Sequence, residues 1–336
     1  MMKKGIKIIA ILVVFTIIAI LALNLIPPRK NIEENPFIVG EGSLPMIAAH
    51  RGGGENNPEN TMLAFREAIN TYKVDIIESD LYLTKDGYLV YNHDSYIDRT
   101  SNVNGDIPFS QVEKLCENID KRHFISDMTL EELRQYNFGF YFEDESGERI
   151  YQNTSDIETA GLQIATVDQL FEEFYESHPD LLFIVEIKDP GERGFEACRI
   201  LAETLKNYPE YSDNIVVGTF HGEIENELKT NYPFIMRGAS TTSAAKFILS
   251  QFVGLNILDK GDFCCLQIPM RYDLGVEVNL DKRTIINRAH RRNIAVQFWT
   301  INDEEEMRHL IELGADCIMT DNPALLRQVI DSYENS

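Results

Sequence analysis

The sequence predicts an α/β protein built as a closed barrel of eight parallel strands and eight helices, with a small inserted subdomain and one apolar helix ahead of it. From residue 45 onward, short β-rich apolar runs alternate with amphipathic helical stretches, the signature of repeated βα units around a parallel sheet. His50, Glu78, Glu186, Gln267, Trp299 and Asp321 fall at or just beyond the carboxyl ends of separate apolar runs, the end at which barrel enzymes carry their chemistry. At 336 residues the chain has room for one large domain with a substantial core.

At the amino terminus, residues 1–7 form a basic tail with Lys3, Lys4 and Lys7, and residues 8–26 follow without a single charge. At about 1.5 Å per residue such a run spans roughly the hydrocarbon thickness of a bilayer, so a transmembrane helix is expected. Arg29 and Lys30 beyond it are followed by Glu33 and Glu34, and the positive-inside bias puts the tail in the cytoplasm and the folded domain outside. A cleaved signal peptide, leaving a secreted protein, is the rival reading; the length of the run and the lack of a small-x-small site favour an anchor. Residues 27–44, opening on Pro27-Pro28, read as a tether, and 45–336 as the barrel domain.

Within that domain, strands are expected at 46–49, 74–78, 182–187, 215–219, 234–237, 263–268, 295–300 and 317–319. Helices are expected near 61–71, 167–177, 194–207, 222–230, 242–252, 281–291, 303–313 and 323–333. Thr129 with Glu132, Thr166 with Gln169 and Asn302 with Glu305 have the spacing of capping boxes. Asp86-Gly87 between two alternating runs marks a β-hairpin over 81–93 that folds His93 back over the site. Residues 98–165, too long for a structureless loop, read as an inserted subdomain with one helix at 130–136.

The formal net charge is −23; five of the 31 basic side chains precede Asn31, and none of the 54 acidic ones does. So acidic a domain repels polyanions, which excludes nucleic acid as a partner and requires a locally positive site for any anionic substrate. A bound divalent cation would supply it. The five cysteines, Cys116, Cys198, Cys264, Cys265 and Cys317, match no zinc or CxxC spacing, and adjacent Cys264 and Cys265 sit in an apolar run where a bond between neighbours would be strained. They read as buried free thiols.

The chemistry concentrates in His50-Arg51-Gly52, Glu78-Ser79-Asp80, His93-Asp94 and Glu186-Ile187-Lys188. Glu78 and Asp80, two apart at the end of an apolar strand, face one side and can share a hard cation, with Glu186 on another barrel strand completing the oxygen cage. His50 and His93 are placed to divide acid and base roles near neutral pH, and Arg51 and Lys188 suit a phosphate. His123, His178, His290 and His309 read as structural hydrogen-bonding residues, and His221, at a strand end, is open between the two.

Together with Pro58-Glu59-Asn60-Thr61, Thr84-Lys85-Asp86-Gly87 and Thr320-Asp321-Asn322-Pro323, these motifs resemble the glycerophosphodiester phosphodiesterase family over nearly all of residues 45–333. The resemblance implies a barrel of the TIM type and one divalent cation, Mg2+ or Ca2+, held by Glu78, Asp80 and Glu186. It also implies acid/base catalysis by His50 and His93, phosphate contacts from Arg51 and Lys188, and Trp299 as an aromatic wall of the pocket. The expected reaction is hydrolysis of a glycerophosphodiester to an alcohol and sn-glycerol 3-phosphate. A lysophospholipase D is the nearest alternative, since Phe138, Phe140, Tyr141, Phe142 and Tyr151 would hold an acyl chain if they were not simply the insertion's core. A membrane-tethered binding protein on an inactive barrel is the third.

Overall fold

The structure, a computed structural model, describes residues 2–25, 28–252, 261–273, 275 and 277–334. The apolar helix spans Met2–Leu25; Met1, and Ile26 and Pro27 at the expected junction of span and tether, lie outside the described residues. Its window Ile6–Leu23 has a mean hydropathy of 3.0 and is exposed, the one helix among the described residues long and apolar enough to cross a membrane.

The strands are, in chain order, β1 (Met46–Ala49), β2 (Ile76–Leu83), β3 (Leu89–Tyr91), β4 (Leu182–Ile187), β5 (Ile215–Gly218), β6 (Met236–Arg237), β7 (Cys265–Ile268), β8 (Arg271–Asp273), β9 (Glu277–Asn279), β10 (Ala295–Phe298) and β11 (Cys317–Thr320). Eight of them form the parallel order β6-β5-β4-β2-β1-β11-β10-β7. A parallel bridge between Gly238 and Cys265, flanked by Ala239 N–H to Cys265 O and Cys264 N–H to Arg237 O at 2.8 Å each, brings β6 against β7 and nearly closes the ring. All eight expected strands are present, as are the eight helices between and after them.

β2 runs five residues beyond its expected end at Glu78, because the turn at Thr84–Tyr88, with Gly87 at φ 88°, lets β3 pair back on it with Leu81 opposite Tyr91. Three expectations are corrected in detail. The insertion contains a second helix, Phe109–Cys116, and its expected helix is only Leu130–Leu133, opened by the Thr129/Glu132 capping box. An unexpected antiparallel pair, β8 with β9, follows β7. The helix Glu304–Leu313 is capped by Asp303, whose carboxylate accepts from Glu305 N–H and Glu306 N–H, because the Asn302 amide is engaged by Asp321 instead.

Strand alternation divides the core. Ile47, Ala49 and Ile77 face the helices, while Ala48, Ile76, Ile184, Val216, Cys265, Ala295, Cys317 and Met319 form a second cluster along the opposite face of the strands. All five cysteines are free and buried. Val90, Ile97, Ile125, Leu130, Leu133, Phe138 and Ile164 form a third cluster beneath the insertion, so Phe138 is a core residue there, and Phe140 is buried as well.

The segment expected to be a tether is docked along much of its length. Asn31 and Asn35 donate side-chain hydrogen bonds to Phe263 O and Cys264 O, at 2.8 and 2.9 Å, Asn293 donates back to Ile32 O, and Val39 N–H reaches the Asp316 carboxylate. Phe37, fully buried, inserts among Ala48, Ile76, Leu182, Cys264 and Cys317 at the amino-terminal ends of the strands. Burying a phenylalanine side chain contributes about 2 kcal/mol, which explains why so polar a segment stays on the barrel.

Candidate active site

At the opposite end, β1 delivers His50 and Arg51 into a tight 3-10 turn. Arg51 is left-handed (φ 54°), followed by Gly52 (φ 82°) and Gly53 (φ 96°). A Cβ on Gly52 would come within 2.9 Å of both Ala64 and the Phe65 ring, so the helix Met62–Asn70 packs directly on glycine backbone there. The turn aims Arg51 N–H at Glu78 Oε2, 2.9 Å away, and places His50 Nε2 3.9 Å from the same oxygen.

Glu78 and Asp80 face the same side of β2, and Asp80 pairs in register with Glu186 of β4. Lys188 stands between the last two, its Nζ 3.1 Å from Asp80 Oδ1 and 3.2 Å from Glu186 Oε2. Asp80 Oδ2 is buried without a hydrogen bond, with Arg51 Nε 3.5 Å away. Burial, reinforced by the neighbouring Asp80 charge, pushes the Glu78 carboxyl up to about 7. Burial also raises Glu186 against the pull of Lys188, and Lys188 itself is held above its usual value because Asp80 and Glu186 outweigh the cost of burying it.

Each predicted histidine is tied to a carboxylate. His50 Nδ1 lies 2.5 Å from Asp321 Oδ1, and Asp321 is oriented by Asn302, which donates to its Oδ2 at 2.8 Å. Burial works to lower His50, but the charges of Glu78 and Asp321 and the Asp321 hydrogen bond prevail and raise it. His93 Nδ1 lies 3.0 Å from Asp94, whose other oxygen accepts from Arg99 Nε at 2.6 Å. Arg99 also forks onto Glu59, and Glu59 in turn meets Arg51 at 3.4 Å. A continuous chain of hydrogen bonds and ion pairs therefore runs from His93 through Asp94, Arg99 and Glu59 to Arg51.

His50, Arg51, Glu78, Asp80, Glu186 and Lys188 thus meet directly, and His93 joins them through that chain. Trp299 follows β10, three strands round the ring from β2, and is 36 % exposed at the same end. Gln267 turns inward and donates to Gln297 at 3.1 Å. Of the supporting residues, Glu59 and Arg99 received no role from the sequence, Asn302 was expected to cap a helix, and Asp321 was placed at the catalytic end without a partner; the signal for Glu59 and Asp321 was their place in Pro58-Glu59-Asn60-Thr61 and Thr320-Asp321-Asn322-Pro323. His123, His290 and His309 pair with Asp98, Asp316 and Asp281 away from this cluster, His178 meets the Ser177 hydroxyl, and the His221 ring contacts Lys188 O, at 3.1 Å.

The donor set is that of a hard cation: a buried carboxylate pair with one oxygen unpartnered and a third carboxylate in register. As the side chains stand, no three such groups among the described residues enclose an ion, because Lys188 fills the space between Asp80 and Glu186. The residues fit the ion by chemistry, with the lysine as resident counter-charge.

Known proteins resemble this chain over most of its length. A glycerophosphodiester phosphodiesterase from Caldanaerobacter subterraneus is 27 % identical over 298 residues, covering 85 % of this chain and 97 % of that protein. A lysophospholipase D from Mus musculus is 24 % identical over 306 residues, covering 86 % of this chain and 82 % of that one. The glycerophosphoryl diester phosphodiesterase domain of a Mycobacterium tuberculosis protein superposes with a TM-score of 0.67 at 16 % identity, covering 85 % of this chain and 99 % of that one. An Oleispira antarctica phosphodiesterase solved with its product sn-glycerol-3-phosphate superposes at 0.60 and 22 % identity, covering 86 % and 97 %. With the family profile matching residues 50–325, the barrel, and the two carboxylate-backed histidines around one acidic cluster, the chain belongs to the glycerophosphoryl diester phosphodiesterase family.

Proposed function

We propose that this protein hydrolyses glycerophosphodiesters to an alcohol and sn-glycerol 3-phosphate. The observation that carries the reading is the pair of histidines, each with Nδ1 held by a carboxylate, on either side of a cluster in which two cations and three carboxylates converge. Arg51 and Lys188 receive the phosphodiester anion. With Nδ1 fixed on Asp321 or Asp94, each imidazole is left Nε2 for proton transfer. One removes the proton from the attacking hydroxyl, of water or of the glycerol itself; the other protonates the departing alkoxide.

Glu78, Asp80 and Glu186 would hold one divalent cation, Mg2+ or Ca2+, which when bound neutralises charge on the phosphate oxygens. Ile6–Leu23 is taken as a retained membrane span with the basic tail in the cytoplasm and the barrel outside. A lysophospholipase D activity finds less support, because Phe138 and Phe140, two of the five aromatic candidates for an acyl site, are buried in the insertion, and Tyr141, Phe142 and Tyr151 are partly buried beside them. A purely binding role leaves two buttressed histidines without a task.

The test is release of glycerol 3-phosphate from glycerophosphocholine by the detergent-solubilised full chain, with chelator and with each divalent ion restored. Release that stops with chelator and returns with one ion is expected. Absence of release from folded, ion-replete protein, or release that chelator leaves untouched, overturns the reading.

A further inference from the structure

The two ends of the barrel are covalently unequal. The last described residue of the apolar helix is Leu25, and by Asn31 the chain is already bonded to the amino-terminal end of the barrel, through Asn31 N–H to Arg292 O and its amide to Phe263 O, both 2.8 Å. Six residue steps, fully extended, cover about 20 Å. The next anchors, Asn35, Phe37 and Val39, lie on the same end, against Cys264, Asn293 and Asp316, each just ahead of a strand. His50, Glu78, Lys188 and Trp299 occupy the other end, beyond strands of up to eight residues and helices of up to 15.

We propose that this docked segment holds the barrel with its amino-terminal end toward the bilayer and its catalytic mouth toward the aqueous phase. The substrate is then a water-soluble, fully deacylated glycerophosphodiester, not a lipid drawn from the membrane that carries the enzyme. The inference rests on reading Ile6–Leu23 as a retained span and the charged cluster as a diesterase site. Its physical content is a length: turning the mouth onto the bilayer requires the connection to reach the barrel's rim and then climb its side. A 15-residue helix alone is roughly 22 Å tall, and the whole connection is about 20 Å. Tilting is permitted; inversion is not. The reaction class that supplies such a substrate is hydrolysis of both acyl esters of a glycerophospholipid, which removes the groups that held it in a bilayer.

The chain supplies its own reporter, because its single tryptophan, Trp299, is partly exposed at the mouth. Full-length protein is reconstituted into phosphatidylcholine vesicles with and without brominated acyl chains, floated on a density gradient, and its emission recorded. The expected result is co-flotation, Trp299 emission equal in both vesicle types, and quenching by aqueous acrylamide. The double variant Trp299→Phe, Arg29→Trp, with its indole beside the span, is expected to be quenched by the brominated lipid. Co-flotation with Trp299 quenched by brominated lipid overturns the orientation while leaving the anchor intact. Failure to float, or an unquenched Arg29→Trp variant, overturns the anchor and the orientation with it, whereas loss of glycerophosphocholine hydrolysis in detergent overturns the diesterase reading and the substrate assignment that rests on it, and leaves the orientation standing. In the same vesicles, turnover of glycerophosphocholine should equal that in detergent, and lysophosphatidylcholine embedded in the bilayer should be turned over at least tenfold more slowly, a difference of about 1.4 kcal/mol in barrier. Preferential turnover of the embedded lipid overturns the proposal.

Discussion

At the carboxyl end of the barrel, Glu78, Asp80, Glu186, Arg51 and Lys188 crowd charges into a partly buried cluster whose members do not fully satisfy one another. At the amino end, Phe37 and three thiols from Cys264, Cys265 and Cys317 meet in an apolar layer, and its one buried carboxylate, Asp316, is matched to His290, Val39 N–H and Val296 N–H. The same eight strands thus end in unresolved electrostatics on one side and in complete pairing on the other. A surplus of like charge is tolerable only where something else is to be bound, so the difference separates the end that works from the end that holds.

That contrast can be broken most forcefully by Asp80→Asn. It should lower turnover of glycerophosphocholine by roughly 10³-fold, while the melting temperature in chelator stays level or rises, since the repulsion on Glu78 is removed. A fall in both would mean that the carboxylate is structural. Phe37→Ala should do the reverse, costing about 3–5 kcal/mol in denaturant unfolding with kcat per folded molecule unchanged. Asp321→Asn should reduce kcat roughly 10²-fold through loss of His50 positioning, with little change in KM and a near-native melt.

The smallest effects concern pH and sharpen the contrast. In chelator, Glu78 is raised from 4.5 to about 7 in the folded state, so its contribution to stability is full below pH 4.5 and is lost as pH climbs through 7. His290 is raised from 6.5, chiefly by its hydrogen bond to Asp316, so its contribution is full below 6.5 and fades as pH passes through the higher folded value. The ring is about a third exposed, and solvent screening keeps this second effect small. Melting temperature followed across pH should therefore fall in two stretches. Added divalent ion should flatten the lower one and His290→Gln only the upper; an ion that flattens both would place its site elsewhere.

The barrel was legible because its strands are short apolar runs and because a parallel sheet buried on both faces leaves little room for other patterns. The charged motifs were legible because reactive residue types sit at fixed offsets from strand ends, as His50 does from Ala49 and Lys188 from Ile187. What was hidden was anything whose partner is remote in sequence. Asn31, Asn35 and Phe37 look like a polar linker until Cys264 and Asn293 are brought against them. Arg99 looks like a surface cation until Glu59 and Asp94 close on it, and Asn302 looks like a helix cap until Asp321 claims its amide.

The docked amino-terminal segment also bears on how the molecule comes into being. Its hydrogen bonds join residues 229, 232, 258 and 277 positions apart, so the earliest part of the domain to be synthesised has to await almost the last. Contacts of such span form late in folding, and Phe37 finds its pocket only once β7, β10 and β11 stand beside β1. The segment is a completion latch: a chain truncated before residue 316 leaves Phe37 and the thiol layer open to water, marked as unfinished for the chaperones and proteases that survey exposed apolar surface.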